Sequence, residues 1–450
     1  MKKINKSIFK TYDIRGIYPD PLDEETAYLV GQGFANLTDA KKVVVGRDMR
    51  IGSPELFKQL VAGLVSQGVQ VDDIGLVPID AVYFSVGKYD YDGGIMVTAS
   101  HNPKEYNGFK MVVKNDQVLN WIRGKELYDF IHDKTFSSQD QPGTMQTRDI
   151  IPDYIRHVLS FIEVKKIRPF KIVVDAGNGL AGKIMPLLFE SLPGEIIPLN
   201  FKLDGNFPAH PSNPLLPESQ VEIKKKVVET KADFGVILDG DTDRLFFIDE
   251  MGNFIRADVT LLILAKYFLE KNPNAGIVYN VICSKAVPEK IRAWGGRPIR
   301  SAVGFVNLAR AMQDNNGVMS GELSAHYAFK DNYYADSGFI SFVILLMLIS
   351  QHDKKLSQIT AGLSPYFKSD EINIEIDNIP AIITKVKKKY NDGHQDELDG
   401  LTVEYEDWWF NVRPSNTEPL LRITIEGDTK ELLEQKQKEI INFIESITHG

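Results

Sequence analysis

The chain has one cysteine, Cys283, in 450 residues, which excludes an intrachain disulfide. A single thiol fits a reducing cytoplasm, and Cys283 is expected to serve as a small buried hydrophobe. Long apolar runs are missing as well. The longest covers residues 339–349, includes Ser341 and is too short to cross a bilayer, so it reads as a core helix. The basic start, from Met1 to Lys6, is not followed by an apolar stretch and is no secretory signal. Positive charge is not in excess either. The 52 Lys and Arg face 61 Asp and Glu, a formal net charge of -9, which gives no electrostatic reason to expect nucleic acid or an anionic membrane as partner. Any site for an anionic ligand must then be locally basic in a globally acidic protein. No strict internal repeat is present.

What is there reads as layered α/β structure. At about 150 residues per domain the length suggests roughly three domains. Short β-branched runs end in Gly, Asp or Asn at residues 42–48, 172–179 and 275–280, and amphipathic stretches lie near them at 56–66, 183–190 and 260–270. Such alternation predicts largely parallel sheets covered by helices. The polar stretch 135–143 is a linker candidate, and a second break is expected near Met251-Gly252-Asn253. Beyond Pro365 the pattern changes to alternating strands at 372–376, 401–405 and 420–425 and a closing helix at 430–444, a small α+β domain.

Four segments carry chemistry. Thr98-Ala99-Ser100-His101-Asn102-Pro103 follows the apolar run 94–97, which places Ser100 just past a strand end, where open α/β sheets keep their sites. Ser100 reads as a nucleophile or phosphate carrier with His101 and Lys110 nearby, or as a simple turn cap. Asp239, Asp241 and Asp243 follow the apolar strand 234–238, and three carboxylates at alternate positions suit a hard cation such as Mg²⁺. An EF-hand loop is excluded because Arg244 stands where its glycine belongs, although Glu250 matches the twelfth position. A phosphatase with Asp239 as its own nucleophile stays open, and Arg244 suits phosphate in either case.

Glu322, Ser324 and His326 alternate ahead of an aromatic strand, and period two would aim all three at one side, to read sugar hydroxyls or to form a polar sheet edge. Arg413, Ser415, Asn416 and Thr417 lie between Pro414 and Pro419, as a phosphate cradle or a surface turn. Near the start, Thr11-Tyr12-Asp13-Ile14-Arg15-Gly16 puts Arg15 beside an early turn.

At these five segments, spread from Tyr12 to Pro419, the chain resembles the α-D-phosphohexomutase superfamily, and most closely its phosphomannomutase/phosphoglucomutase branch. The resemblance implies three related α/β domains plus a smaller C-terminal α+β domain around a central cleft. Expected boundaries are 1–147 with the serine loop, 148–254 with the metal loop, 255–366 with the sugar loop and 367–450 with the phosphate loop. It implies that Ser100 carries a phosphoryl group and, with Asp239, Asp241 and Asp243, holds Mg²⁺. Tyr12 would bind substrate, Glu322 and Ser324 would read the sugar hydroxyls, and Arg413, Ser415, Asn416 and Thr417 would hold the phosphate not being transferred. Arg15, His101, Lys110, Arg244 and His326 would line the cleft. The implied reaction exchanges hexose 1- and 6-phosphates through a hexose 1,6-bisphosphate, in a cytoplasmic monomer or homodimer.

Three positions depart from sugar-specific members: Ile282 and Phe305 stand near a lysine and a histidine of theirs, and Ala325 stands where glycine is common. The Glu-Leu-Ser loop leans to glucose or mannose. An amino-sugar mutase, a Mg²⁺-dependent sugar phosphatase and a silent sugar-phosphate binder are the competing readings.

Overall fold

A computed structural model describes residues 4–115, 118–352, 354–415 and 420–448. They fall into two compact units, one of residues 1–256 with 324–359 and one of 257–323 with 360–450.

The first unit holds two sheets. In one, the order is Ile14–Ile17, Tyr106–Asn115, Gly93–Val97, Lys42–Arg47, Gln70–Leu76 and Met145–Thr147, with Val118–Ile122 added on Tyr106–Asn115. Gly93–Val97, Lys42–Arg47 and Gln70–Leu76 run parallel, and their Val and Ile side chains are sealed on both faces, as parallel strands require. Helices Glu24–Thr38 and Ser53–Ser66 cover one face. They meet backbone to backbone at Gly63, where a Cβ would lie 2.1 Å from the Tyr28 carbonyl oxygen.

The second sheet runs Phe254–Ile255, Leu245–Asp249, Phe234–Leu238, Phe170–Asp175 and Gly194–Leu199. Phe234–Leu238 is buried at every position, so its side chains need no polar face and the chain turns polar only where it leaves the sheet, at Asp239. The expected core helix is Gly338–Gln351, capped by Ser337 and buried from Gly338 to Ile349. Its cap also donates to Asp80, a carboxyl that burial pushes up to about 7. Among the described residues no helix is long and apolar enough to cross a membrane.

Both stretches expected as breaks are hydrogen-bonded to their neighbours. The stretch 135–143 is tied to the helix Ser53–Ser66 by Gln139 N–H to the Ser66 carbonyl (2.8 Å) and Gly143 N–H to the Val65 carbonyl (2.8 Å). Met251-Gly252-Asn253 is a tight turn joining two antiparallel strands, with Asp249 Oδ1 accepting from the Met251 and Asn253 amides at 3.0 and 2.8 Å.

The second unit begins with the parallel strands Arg297–Ser301, Gly276–Asn280 and Gly317–Gly321, with helices Ala257–Lys271, Ala286–Ala293 and Phe305–Asp314. Cys283 is buried there, and burial raises its thiol pKa, the inert state expected of it. The tail is an antiparallel sheet built on Trp408–Pro414 and Leu420–Gly427, closed by the helices Ile379–Lys389 and Lys430–Thr448.

Candidate active site

Strand Gly93–Val97 ends at Thr98, whose amide still pairs with the Gly108 carbonyl at 3.0 Å. Two residues later Ser100 takes φ of +50°, a left-handed conformation that costs a side-chain-bearing residue roughly 1–2 kcal/mol. That cost is offset by a clamp that sequence reading missed. The fully buried Arg50 donates to four carbonyls of the loop: Ser100 (2.6 Å), Asn102 (2.7 Å), Pro103 (2.8 Å) and Tyr106 (3.0 Å). Asp48 faces its Nε at 3.2 Å. The only signal for this in sequence is a charged pair just past the strand Lys42–Arg47. A Cβ on Gly240 would lie 3.1 Å from the Ser100 carbonyl oxygen and 2.8 Å from Ser212 Oγ, so glycine lets the serine and aspartate loops touch.

The Ser100 hydroxyl donates to Asp239 Oδ2 at 2.7 Å. It has one proton to give, so the His101 ring, whose Nδ1 is 3.3 Å away, donates back to it from Nδ1–H. Thr98 Oγ1 donates to Asp241 (3.2 Å), and Lys110 Nζ bridges Asp241 (3.0 Å) and Asp243 (2.5 Å). All three carboxylates are buried, and one oxygen from each lies within 4.8 Å of the others. Unit charges about 4 Å apart repel by roughly 4 kcal/mol at an effective dielectric of about 20. The Lys110 ammonium and the Arg244 guanidinium, whose Nε is 4.0 Å from Asp239 Oδ2, do not balance three such charges.

Burial, then the charges of Asp243 and Asp241, pushes the Asp239 carboxyl well above its usual range. For Lys110 burial acts downward, but Asp241 and Asp243 outweigh it and hold the ammonium charged. Asp241 Oδ1 and Asp243 Oδ1 are buried and accept no hydrogen bond. Carboxylate oxygens left in this state suit a hard divalent cation.

A second group adjoins the first. His326 Nε2 lies 3.4 Å from Asp243 Oδ1 and 4.0 Å from Asp336 Oδ2, receives Arg244 Nε at 3.3 Å, and its Nδ1 meets Ser324 Oγ at 2.8 Å. Burial and the charge of Asp243 raise Asp336 to about 7. Arg15 is held by Asp13 (2.8 Å) and donates to Asn102 Oδ1 (2.5 Å), which fixes it to the serine loop. Burial, followed by Arg244 and Arg15, drives the His101 pKa well below 6.5, so its imidazole is neutral. Thr98, Asn102 and Asp336 thus join the site although only their neighbours stood out in sequence.

The period-two reading of Glu322, Ser324 and His326 fails. Strand Gly317–Gly321 ends, a turn follows, and Ala325 at φ +64° breaks the alternation. Ser324 and His326 belong to the first compact unit and Glu322 to the second. There Glu322 accepts from Asn280 Nδ2 and the Gly304 amide, both at 3.2 Å. The left-handed backbone at Ala325 accounts for the glycine common at that point in the resemblance. Glu250, the EF-hand match, is turned away and binds Ser357.

In the second unit Arg413 is buried and paired with Glu371 at 2.6 Å, a carboxylate shared with Arg422 at 2.9 Å. Ser415 follows, its amide on the Leu420 carbonyl at 2.8 Å. Asn416 and Thr417 lie outside the described residues. Tyr12 sits half-buried in the bend ahead of Asp13 and Arg15.

A polar hub behind the two loops was also not read from sequence. Asp175 accepts from the Gly177 amide (2.9 Å), Asn200 Nδ2 (3.0 Å) and His210 Nε2 (3.2 Å), while His210 Nδ1 faces the Pro211 carbonyl at 2.8 Å. Both neighbours of the ring are acceptors, so only the imidazolium satisfies them. Burial opposes that charge, but Asp175 outweighs it and raises His210 above its ordinary 6.5. A raised histidine stabilises fully below the unfolded value and loses that contribution as pH climbs through the folded one. The thermal midpoint of the native chain should therefore exceed that of His210→Gln most below pH 6.5, with the gap shrinking above it, by roughly 1 °C per kcal/mol in a chain of 450 residues. Melting curves that shift in parallel for both proteins across this range would remove His210 from the pH response.

Comparison with known proteins agrees along the whole chain. Models of the phosphoglucomutase/phosphomannomutase family match in order: α/β/α domain I at residues 6–138, domain II at 152–252, domain III at 256–366 and the C-terminal domain at 371–443. The chain is 38% identical over 442 residues to a protein of Xanthomonas campestris described as phosphohexose mutases, covering 97% of this chain and 98% of that one. It is 36% identical over 449 residues to the phosphomannomutase/phosphoglucomutase of Pseudomonas aeruginosa, covering 98% and 96%. A crystal structure of a phosphoglucomutase/phosphomannomutase family protein from Burkholderia thailandensis superposes with a TM-score of 0.90 at 32% identity, over 98% of each chain. The serine loop, the buried aspartates and the four matched domains together establish that this chain belongs to the phosphoglucomutase/phosphomannomutase family of phosphohexose mutases.

Proposed function

We propose that this enzyme interconverts the 1- and 6-phosphates of a hexose, mannose or glucose, through a phosphoserine at Ser100 and a hexose 1,6-bisphosphate. The observation that carries the reading is the Ser100 hydroxyl, 2.7 Å from Asp239 at the edge of three buried carboxylates.

The carboxylates fit Mg²⁺, because two of their buried oxygens have no donor. Asp239, Asp241 and Asp243 would hold it, with Ser100 as a further oxygen ligand. Bound there, the ion would supply positive charge against the transferring phosphoryl group. The chain's own residues do the rest. Lys110 and Arg244 add fixed cations beside Ser100, where charge on the moving group spreads over its oxygens. A sugar hydroxyl attacks phosphorus, the bond from phosphorus to Ser100 Oγ breaks, and a sugar phosphate ester forms. The hydroxyl proton passes to a neighbouring base, for which neutral His101 and the His326–Asp336 pair are the candidates within the first unit. The bisphosphate then turns over and returns its other phosphoryl group to Ser100. Arg15 lies beside the loop that presents Ser100.

Glu322 and Ser324 are assigned to sugar hydroxyls, and Tyr12, Arg413, Ser415, Asn416 and Thr417 to the ends of the substrate. Arg413→Ala should raise KM about 10–100-fold with a smaller change in kcat, as expected for loss of one charged hydrogen-bonding group. Unaltered KM and kcat would remove Arg413 from the clamp. The domain limits proposed with this reading are 1–147, 148–254, 255–366 and 367–450.

Phosphorus NMR with Mg²⁺, trace glucose 1,6-bisphosphate and either mannose 1-phosphate or glucose 1-phosphate tests the reading. Conversion to the 6-phosphate is the expected result, and the faster hexose names the preferred sugar. Release of inorganic phosphate would shift the assignment to a phosphatase, and inertness with both hexoses to an amino sugar.

A further inference from the structure

A cavity of about 610 Å³ opens in the first unit at the far end of the second sheet, where strands Phe170–Asp175 and Phe234–Leu238 begin. Four cations line it: Arg168, Lys231, Lys354 and Lys355. The two acids in its wall are already engaged. Asp233 Oδ2 accepts from the Lys171 amide at 2.8 Å, and Glu250 accepts from the Ser357 amide (3.2 Å) and hydroxyl (2.5 Å).

The cations are not. Among the described residues, the side chains of Lys231, Lys354 and Lys355 have no hydrogen bond or ion pair, and Arg168 Nε is buried without an acceptor. The Arg168 guanidinium is held in place over the Phe170 ring at 4.6 Å, with its backbone amide on Ser350 Oγ at 3.2 Å. Lys231 is set at the rim by the left-handed end (φ +52°) of helix Pro217–Thr230. Four cations against two acids around one hollow, the acids already turned to neutral donors, leave a net positive charge that a small polyanion fits.

The cavity is separate from the serine site. Strand Phe234–Leu238 lies between them, and five residues at about 3.3 Å each span roughly 16 Å. Helix Gly338–Gln351 makes the same journey, with Gly338 on the Thr242 carbonyl (3.3 Å) at one end and Ile349 in the cavity wall at the other.

We propose that this cavity binds a small polyphosphate anion, either free pyrophosphate or the diphosphate tail of a nucleotide. The inference does not depend on the mutase reading. Titration calorimetry of the full chain, free of divalent metal and at about 0.15 M salt, with inorganic pyrophosphate and separately with ADP, tests it. One saturable equivalent is expected. It should weaken at least tenfold in Lys231→Ala/Lys355→Ala, whose mutase rate without ligand stays at the native level and so reports a folded enzyme, and it should persist in Arg413→Ala. ADP binding tenfold tighter than pyrophosphate would identify a nucleotide, and equal affinities a free polyphosphate. Binding unchanged in the double variant, binding lost in Arg413→Ala, or heats that do not saturate would each overturn the proposal. Arg168→Gln gives an independent check, with weakened binding expected and unchanged binding counting against the site.

Discussion

Ser100→Ala should lose roughly 10³-fold or more of mutase turnover while binding hexose phosphate within a few-fold of the native enzyme. The size follows from the role. A residue that forms and breaks a bond to the transferred group has no substitute nearby, because the hydroxyl of Thr98 is committed to Asp241 and to the Ser100 amide, that of Ser212 to the Ser100 carbonyl and that of Ser324 to His326. The affinity stays because the oxygen removed points at Asp239 and the loop is held through its backbone by Arg50, which the substitution leaves untouched. Loss of that donor leaves Asp239 Oδ2 buried, a penalty of about 1–3 kcal/mol in stability, so the comparison is made well below the melting transition. Ser100→Gly is the control for backbone strain, since glycine accepts φ of +50° freely and should be equally inactive. The experiment also separates the two enzymatic readings. A phosphatase using Asp239 as nucleophile would keep releasing phosphate in Ser100→Ala, whereas a mutase stops. Turnover within tenfold of native would refute the carrier role.

Legibility of the site in sequence followed how local each feature is. Ser100, Asp239, Asp241 and Asp243 stood out because each lies within five residues of the end of a fully buried strand, so the switch from apolar to polar marks the edge of the sheet. Contacts between segments left no such mark. Arg50 serves carbonyls more than fifty residues away, Glu371 joins Arg413 to Arg422, and Asp175 reaches His210 across 35 residues. Partners of this kind are set by tertiary packing, and a single sequence carries no spacing rule for them. The error at residues 322–326 has a different cause. Alternation assumes extended backbone, and Ala325 adopts a left-handed conformation that its residue type does not announce. The polar stretch 135–143 lies where the match to domain I ends, at 138, ahead of the match to domain II from 152, and its amides are pinned to a helix end. The small tail domain was easier, because its segments 372–376 and 401–405 alternate apolar and polar residues in sequence, the period of a strand.

Asp241→Asn should lower mutase activity about 10²-fold or more and abolish its stimulation by Mg²⁺, while leaving the metal-free protein as stable as the native chain or more so. The second half of the expectation distinguishes a cation site from a structural ion pair. If Asp241 served mainly to fix Lys110, its neutralisation would destabilise the fold. The geometry argues otherwise, since Lys110 keeps Asp243 at 2.5 Å, and removing one of three like charges relieves repulsion from both others. The amide also retains the oxygen that accepts from Thr98. The native protein, by contrast, should gain stability from Mg²⁺ by mass action, about 2.7 kcal/mol at a hundredfold excess over Kd. At about 2.1 cal/mol/K of unfolding entropy per residue, each kcal/mol moves the midpoint of this 450-residue chain by roughly 1 °C, so a shift of about 3 °C is expected in the native chain and little in the variant. A variant whose midpoint still rises with Mg²⁺ as the native one does would take Asp241 out of the metal site. A variant that loses midpoint without metal would make the aspartate a partner of Lys110 first, with the two buried carboxylate oxygens still in need of an explanation.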